Sequence, residues 1–195
     1  MREDSMLQLL LAAVTLQDYY PLGEGYSWQY EATIREEKSE VWKNVTGKEK
    51  VGGEECFVVE DRGMGGDFRK LSVSKGKNGV HVLGMRREVA QPFPWLKFPL
   101  EKGARWLHTL EAQEGAPKRT LEFTVEGEEE ISVPAGDFKA QRVRLSITED
   151  GTDKRFEYRM WYAPDVGEVK RVMKRFRGDK VDVGTLLLMK FQKGK

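Results

Sequence analysis

Cysteine is almost missing from this chain. Cys56 is the only one in 195 residues, so no disulfide can form within the chain. It stands in the apolar run Cys56-Phe57-Val58-Val59, where a buried, inert thiol is expected and a nucleophile is not. Histidine is nearly as scarce. His81 and His108 are the only two, too few for a His-rich metal site, and neither stands in a recognisable catalytic context. No Gly-x-Ser-x-Gly nucleophile elbow occurs either. The sequence therefore predicts a protein that is not an enzyme, with no catalytic residue, no metal and no cofactor. A charge surplus is lacking as well: 33 Lys and Arg stand against 32 Asp and Glu. That removes the global argument for nucleic acid or an anionic membrane as partner.

Long hydrophobic runs are absent beyond residues 6–16, MLQLLLAAVTL. This stretch is too short to span a bilayer, so no transmembrane segment is expected. Its length suits the apolar region of an export signal, although Arg2 is followed at once by Glu3 and Asp4. Residues 1–17 are read as a signal-like or helical segment. A signal places the protein in the periplasm or outside the cell, and a helix docked on the core leaves it in the cytoplasm.

What the chain does contain is repetition. Pro21-Leu22-Gly23-Glu24-Gly25-Tyr26-Ser27-Trp28 returns as Pro99-Leu100-Glu101-Lys102-Gly103-Ala104-Arg105-Trp106, a shared Pro-Leu-x-x-Gly-x-x-Trp. With five Trp and seven Pro in the whole chain, the match suggests two related units in tandem. After Gly25 nearly everything reads as short strands. Tyr26, Trp28, Tyr30, Ala32 and Ile34 alternate with polar neighbours, the period-two pattern of a half-buried strand. Turn signals recur at Gly52-Gly53, Asn78-Gly79, Pro134-Ala135-Gly136, Asp150-Gly151 and Pro164-Asp165-Val166-Gly167. Residues 88–98, with Pro92 and Pro94, break the rhythm and read as an extended connector between halves at about 21–87 and 99–191, because proline cannot donate to a sheet ladder. The expected fold is all-β: one domain over residues 18–195, a curved antiparallel sheet or half-open β-barrel built from two tandem meanders.

Two phrases carry a resemblance. Val133-Pro134-Ala135-Gly136-Asp137-Phe138 and Trp161-Tyr162-Ala163-Pro164-Asp165-Val166-Gly167-Glu168-Val169-Lys170 resemble the VPAGxF and WYAPxVGxVK motifs of a group of exported bacterial all-β proteins without assigned function. At fold level that group is distantly similar to the periplasmic lipoprotein carriers and their receptors (LolA/LolB-like). The motifs build turns, so the resemblance implies architecture and brings no catalytic residues with it.

Other candidate chemistry has a plainer reading. Glu54-Glu55 and Glu128-Glu129-Glu130 cannot converge on a cation from consecutive strand positions. Gly63-Met64-Gly65-Gly66 lacks the Lys-Ser or Lys-Thr of a phosphate loop. Residues 168–195 hold nine Lys or Arg against three acids, interleaved with apolar residues as on a solvated strand face. The aromatics are the remaining constellation. Trp28, Tyr30, Phe93, Trp95, Trp106 and Trp161 either fill the core of the curved sheet or line an apolar cavity on its concave face. The expected function is a non-enzymatic envelope protein that holds a lipid, another hydrophobic ligand or an exported partner there. A structural or interaction module with a filled core is the alternative, and a hydrolase a distant third.

Overall fold

The computed structural model describes residues 18–63, 68–85, 87–112 and 117–194, with the backbone alone at 85 and 87–92. The signal-like segment and most of the Gly63–Gly66 loop lie outside these residues. Twelve strands follow one another: β1 (Ser27–Ile34), β2 (Glu37–Val51), β3 (Glu54–Arg62), β4 (Phe68–Gly76), β5 (Gly79–Met85), β6 (Arg87–Lys97), β7 (Arg105–Leu110), β8 (Arg119–Val133), β9 (Gly136–Glu149), β10 (Arg155–Ala163), β11 (Gly167–Arg177) and β12 (Lys180–Gln192). There is no helix among the described residues, and so none long and apolar enough to cross a membrane.

All twelve belong to one antiparallel sheet, ordered β6-β5-β4-β3-β2-β1-β12-β11-β10-β9-β8-β7. The first and last strands therefore pair in the middle, with Ser27 opposite Gln192 and Ile34 opposite Gly184. The free edges are β6 and β7, which follow one another in sequence. The sheet curls until these edges approach, giving an all-β, nearly closed barrel. No ladder joins β6 to β7. The Trp106 indole Nε1 instead donates across the gap to the Pro94 carbonyl at 3.1 Å.

The period of two explains the core. Trp28, Tyr30 and Ala32 on β1, Phe123 and Val125 on β8, and Val143 and Leu145 on β9 share the concave face and are buried. Each fully buried Val, Leu or Phe among them contributes about 1.5–3 kcal/mol.

Residues 87–97 are a strand and not the connector expected from their prolines. β6 is an edge, where a missing amide donor leaves no ladder broken on the outer side. The link between β6 and β7 is the shorter stretch 98–104.

The two Pro-Leu-x-x-Gly-x-x-Trp segments are locally built alike. Gly25 N donates to Val45 O (2.9 Å), Tyr26 N to Gly23 O (3.0 Å) and Val45 N to Tyr26 O (2.8 Å). Gly103 N donates to Val125 O (2.8 Å), Ala104 N to Glu101 O (3.0 Å) and Val125 N to Ala104 O (2.9 Å). Gly25 and Gly103 have φ of 79° and 90°, which an L side chain resists. Each segment docks beside a bulge, at Val45/Gly47 and at Val125/Gly127. Elsewhere the strands form one continuous sheet.

Two features close the end of the barrel where β1 begins. Residues 18–26 cross it: Asp18 pairs with Lys75 at the end of β4, and its carbonyl accepts from Asp165 N in the β10–β11 turn at 2.7 Å. The long β8–β9 hairpin also bends back, and Ala135 N at its tip donates to Leu188 O of β12 at 3.0 Å. The bend falls at Gly127, whose φ is 115°. Val133-Pro134-Ala135-Gly136, read from the sequence as a turn, is that tip.

Candidate ligand chamber

Three inward positions on β2 read Val41, Lys43, Val45, and the middle one places a cation in an apolar series. On β3 the same face carries Val59 and then Asp61, and on β4 it carries Arg69, Leu71 and Val73. Opposite, β11 delivers Glu168 and Arg171, brought to the interior by the bulge that pairs Tyr162 with Glu168 and Trp161 with Lys170. Of these, Lys43, Val59, Asp61, Arg69, Leu71, Glu168 and Arg171 enclose, with Tyr20, Val82, Phe93 and Trp95, a cavity of about 100 Å³. A smaller recess of about 20 Å³ continues it past Tyr30, Val41 and Leu186.

One wall is apolar and aromatic. Phe93 and Trp95 lie 5.8 Å apart in an edge-to-face arrangement, and the Trp95 indole donates to the Tyr162 hydroxyl at 3.1 Å. The other wall is ionic. Arg171 Nε and Nη2 donate to the two Glu168 carboxylate oxygens, each at 2.7 Å. Arg69 grips Asp61 in the same bidentate way, also at 2.7 Å for each bond. Planar guanidinium and carboxylate match in these pairs, which offsets the cost of burying charge. Burial disfavours the Arg171 charge, but the Glu168 carboxylate more than reverses this and raises its pKa.

Lys43 is treated differently. Its ammonium lies 5.0 Å from the Trp28 ring centre and 5.2 Å from that of Tyr20, two cation–π contacts. No ion pair reaches it among the described residues. Burial pulls its pKa down, with Glu168 the main opposing charge. Burial pushes the pKa values of Tyr20, Tyr30 and Tyr162 up, so these phenols stay neutral. Tyr30 donates to the Glu168 carbonyl at 3.0 Å and so fixes the bulge.

Of the aromatics singled out in the sequence, Phe93 and Trp95 line the main cavity and Tyr30 borders the recess. The other three pack elsewhere. Trp28 stacks on Phe191 at 5.3 Å, and its indole donates to Val166 O. Trp106 stacks on Phe123 at 4.8 Å. Trp161 lies under Lys170, and its indole donates to Glu129 at 2.9 Å.

Sequence reasoning missed the ionic wall. The basic excess after Glu168 was read as a solvated strand face, yet Glu168 is 2% exposed and the Arg171 side chain 18%. The available signal was the inward register of Val41, Lys43 and Val45, which places charge where a core residue belongs.

The remaining candidates have structural partners. Glu128 pairs with Lys139 and Glu129 with Arg142. Cys56 is buried with its Sγ 3.6 Å from Glu54 O, and burial raises its pKa. His108 lies beside Phe93 at 5.2 Å.

No protein-family model matches the chain, and no curated protein matches it. Solved structures do. A candidate exported protein with a YmcC-like fold from Bacteroides fragilis superimposes with a TM-score of 0.57 at 12% identity, over 91% of this chain and 100% of that one. A candidate lipoprotein from Parabacteroides distasonis does so with a TM-score of 0.56 at 12% identity, over 90% of this chain and 99% of that one. The hypothetical lipoprotein YmcC from Escherichia coli aligns over the whole of both chains at 15% identity, with a TM-score of 0.44. The two likenesses with TM-scores above 0.5 show the fold, which for the Bacteroides fragilis protein is described as YmcC-like.

Proposed function

We propose that this is a non-enzymatic protein of the cell envelope that holds a lipid or other hydrophobic ligand inside its barrel. The observation that carries this reading is the chamber itself, with Leu71, Val82, Phe93 and Trp95 on one side and a few convergent charged groups on the other. Mostly apolar walls with a small number of placed polar groups are the usual make-up of a ligand site. Its position supports the same reading, because the aromatic wall lies on β6, next to the one gap in the barrel without a ladder. Neither Cys56 nor a histidine lines the cavity, and both of its carboxylates are tied to guanidiniums. The envelope location rests on the fold shared with candidate exported proteins.

One observation favours the second reading, an interaction module with a filled core. At about 100 Å³ the cavity is smaller than the roughly 300–1,000 Å³ of common ligand sites, and Tyr30, Tyr162, Phe123, Leu145 and Leu188 fill much of the remaining interior. The two readings separate when the full chain is purified from bacteria, extracted with organic solvent and analysed by mass spectrometry. Acyl lipid near one molecule per chain is the expected result. A stable, monodisperse protein that carries no lipid and takes none up from detergent-dispersed lipid extract would favour the filled barrel acting through its surface.

A further inference from the structure

Among the described residues five charged side chains line the chamber, and they do not cancel. Asp61 and Glu168 each use both oxygens on one guanidinium, of Arg69 and Arg171 respectively. That leaves Lys43 with two aromatic faces and no counter-ion among the described residues. An uncompensated cation in a protein interior is costly unless an anion joins it.

Resting on the reading of the interior as a ligand chamber, we propose that its ligand is a single-chain carboxylic acid. The carboxylate sits beside Lys43, and the first carbons of the chain lie against Leu71, Val82, Phe93 and Trp95. Charge and size select this class. One surplus cation in the chamber matches one negative charge, whereas a phosphate monoester would bring about −1.5 to −2. A cavity of about 100 Å³ has room for several waters, each of which needs at least about 10–15 Å³ of such space, enough for an acid head and the start of a chain. A two-chain lipid headgroup is too bulky for it. The rest of the chain leaves along Phe93 and Trp95 toward the β6–β7 gap, where no strand ladder needs to break.

The test is calorimetric titration of the full chain at neutral pH with octanoate, dodecanoate and hexadecanoate, and with the primary amides of the same three acids. The wild type is expected to bind the acids at least about tenfold more tightly than the matching amides, since losing one partner of a buried charge pair costs that much or more. Lys43→Met keeps the apolar stem and removes the charge. It is expected to hold the amides as before and to lose the preference for acids, with its melting temperature reporting that it is folded. Equal wild-type affinity for acids and amides would overturn the carboxylate assignment and leave the hydrophobic chamber standing. Failure of every acid and every amide to bind would overturn both. The wild-type comparison decides even if the variant does not fold.

Discussion

β1 and β7 each begin with a Pro-Leu-x-x-Gly-x-x-Trp segment, held by the same three backbone hydrogen bonds and the same left-handed glycine, and each leads to a buried Trp. Their surroundings differ. β1 has a full ladder on either side, to β2 and to β12. β7 has one, to β8, and faces β6 across a gap. The Trp28 indole is spent on a turn carbonyl, Val166 O, while the Trp106 indole spans the gap to Pro94 O. Around that bond Phe93 touches His108 and Phe123, and Trp95 touches Phe123. One local motif thus serves a closed seam in one copy and an aromatic-stitched seam in the other. Local conformation follows from the residues of the segment, and closure follows from what the neighbouring strand can offer. A β6 bearing prolines offers little to pair with, which also protects the edge from adding foreign strands.

The comparison is tested most severely at the two tryptophans. Trp28→Ala and Trp106→Ala each leave a large hole in a buried aromatic cluster, and each should lower unfolding free energy by about 3–5 kcal/mol in urea titrations. Their local consequences should diverge. Trp106→Ala removes the hydrogen bond across the gap, so amide exchange should accelerate selectively in β6 and β7. Trp28→Ala should leave the β1–β12 ladder as protected as the rest of the sheet. Equal loosening at both seams would show that the ladder adds nothing to the closed one.

A smaller effect is expected at the matched glycines. Alanine at Gly25 or Gly103 must take a left-handed φ, which costs of order 1–3 kcal/mol. The two positions differ in space: a Cβ on Gly25 would stand 3.1 Å from Gly194 Cα, whereas one on Gly103 meets nothing within 4 Å. Gly25→Ala should therefore be the more destabilising of the two by thermal melting. A larger loss at Gly103 would mean that the open seam depends on its turn more than the closed one does.

The two glycines also mark what was legible in the sequence. Turn chemistry and period-two alternation are local, so the all-β class and most strand positions could be read directly. β6 was misread because Pro92 and Pro94 argue against a central strand and say nothing against an edge, and being an edge is a property of the whole sheet. The chamber was half visible. Phe93 and Trp95 were named on composition, but the ionic wall needs residues more than 100 positions apart in sequence, Lys43 and Arg171, to face one space. The register of Lys43 marks it as inward, but Arg171 looks like an ordinary surface charge until β1 and β12 pair and leave only those two strands between β2 and β11.

The gentlest probe of the two seams is acid. The chain has two histidines, and one of them, His108, stands at the open seam against Phe93. Partial burial of the ring lowers its pKa from the usual value of 6.5. In the unfolded chain the imidazole takes its proton near the ordinary value, while in the folded chain it resists until the solution is more acidic. Between the two values the unfolded state binds more protons, so stability rises with pH through that window and falls as acid is added. The loss is complete once the pH is below the folded value. The slope should amount to less than one proton, and His108→Gln should remove it while leaving the slope due to the carboxylates at lower pH. Protection factors in β6 and β7, corrected for the intrinsic slowing of amide exchange in acid, should fall on acidification in the wild type and not in the variant. The β1–β12 ladder, which carries no histidine, should respond alike in both. A slope that survives the substitution would mean that protonation acts elsewhere in the barrel and that the aromatic stitching tolerates a charged ring.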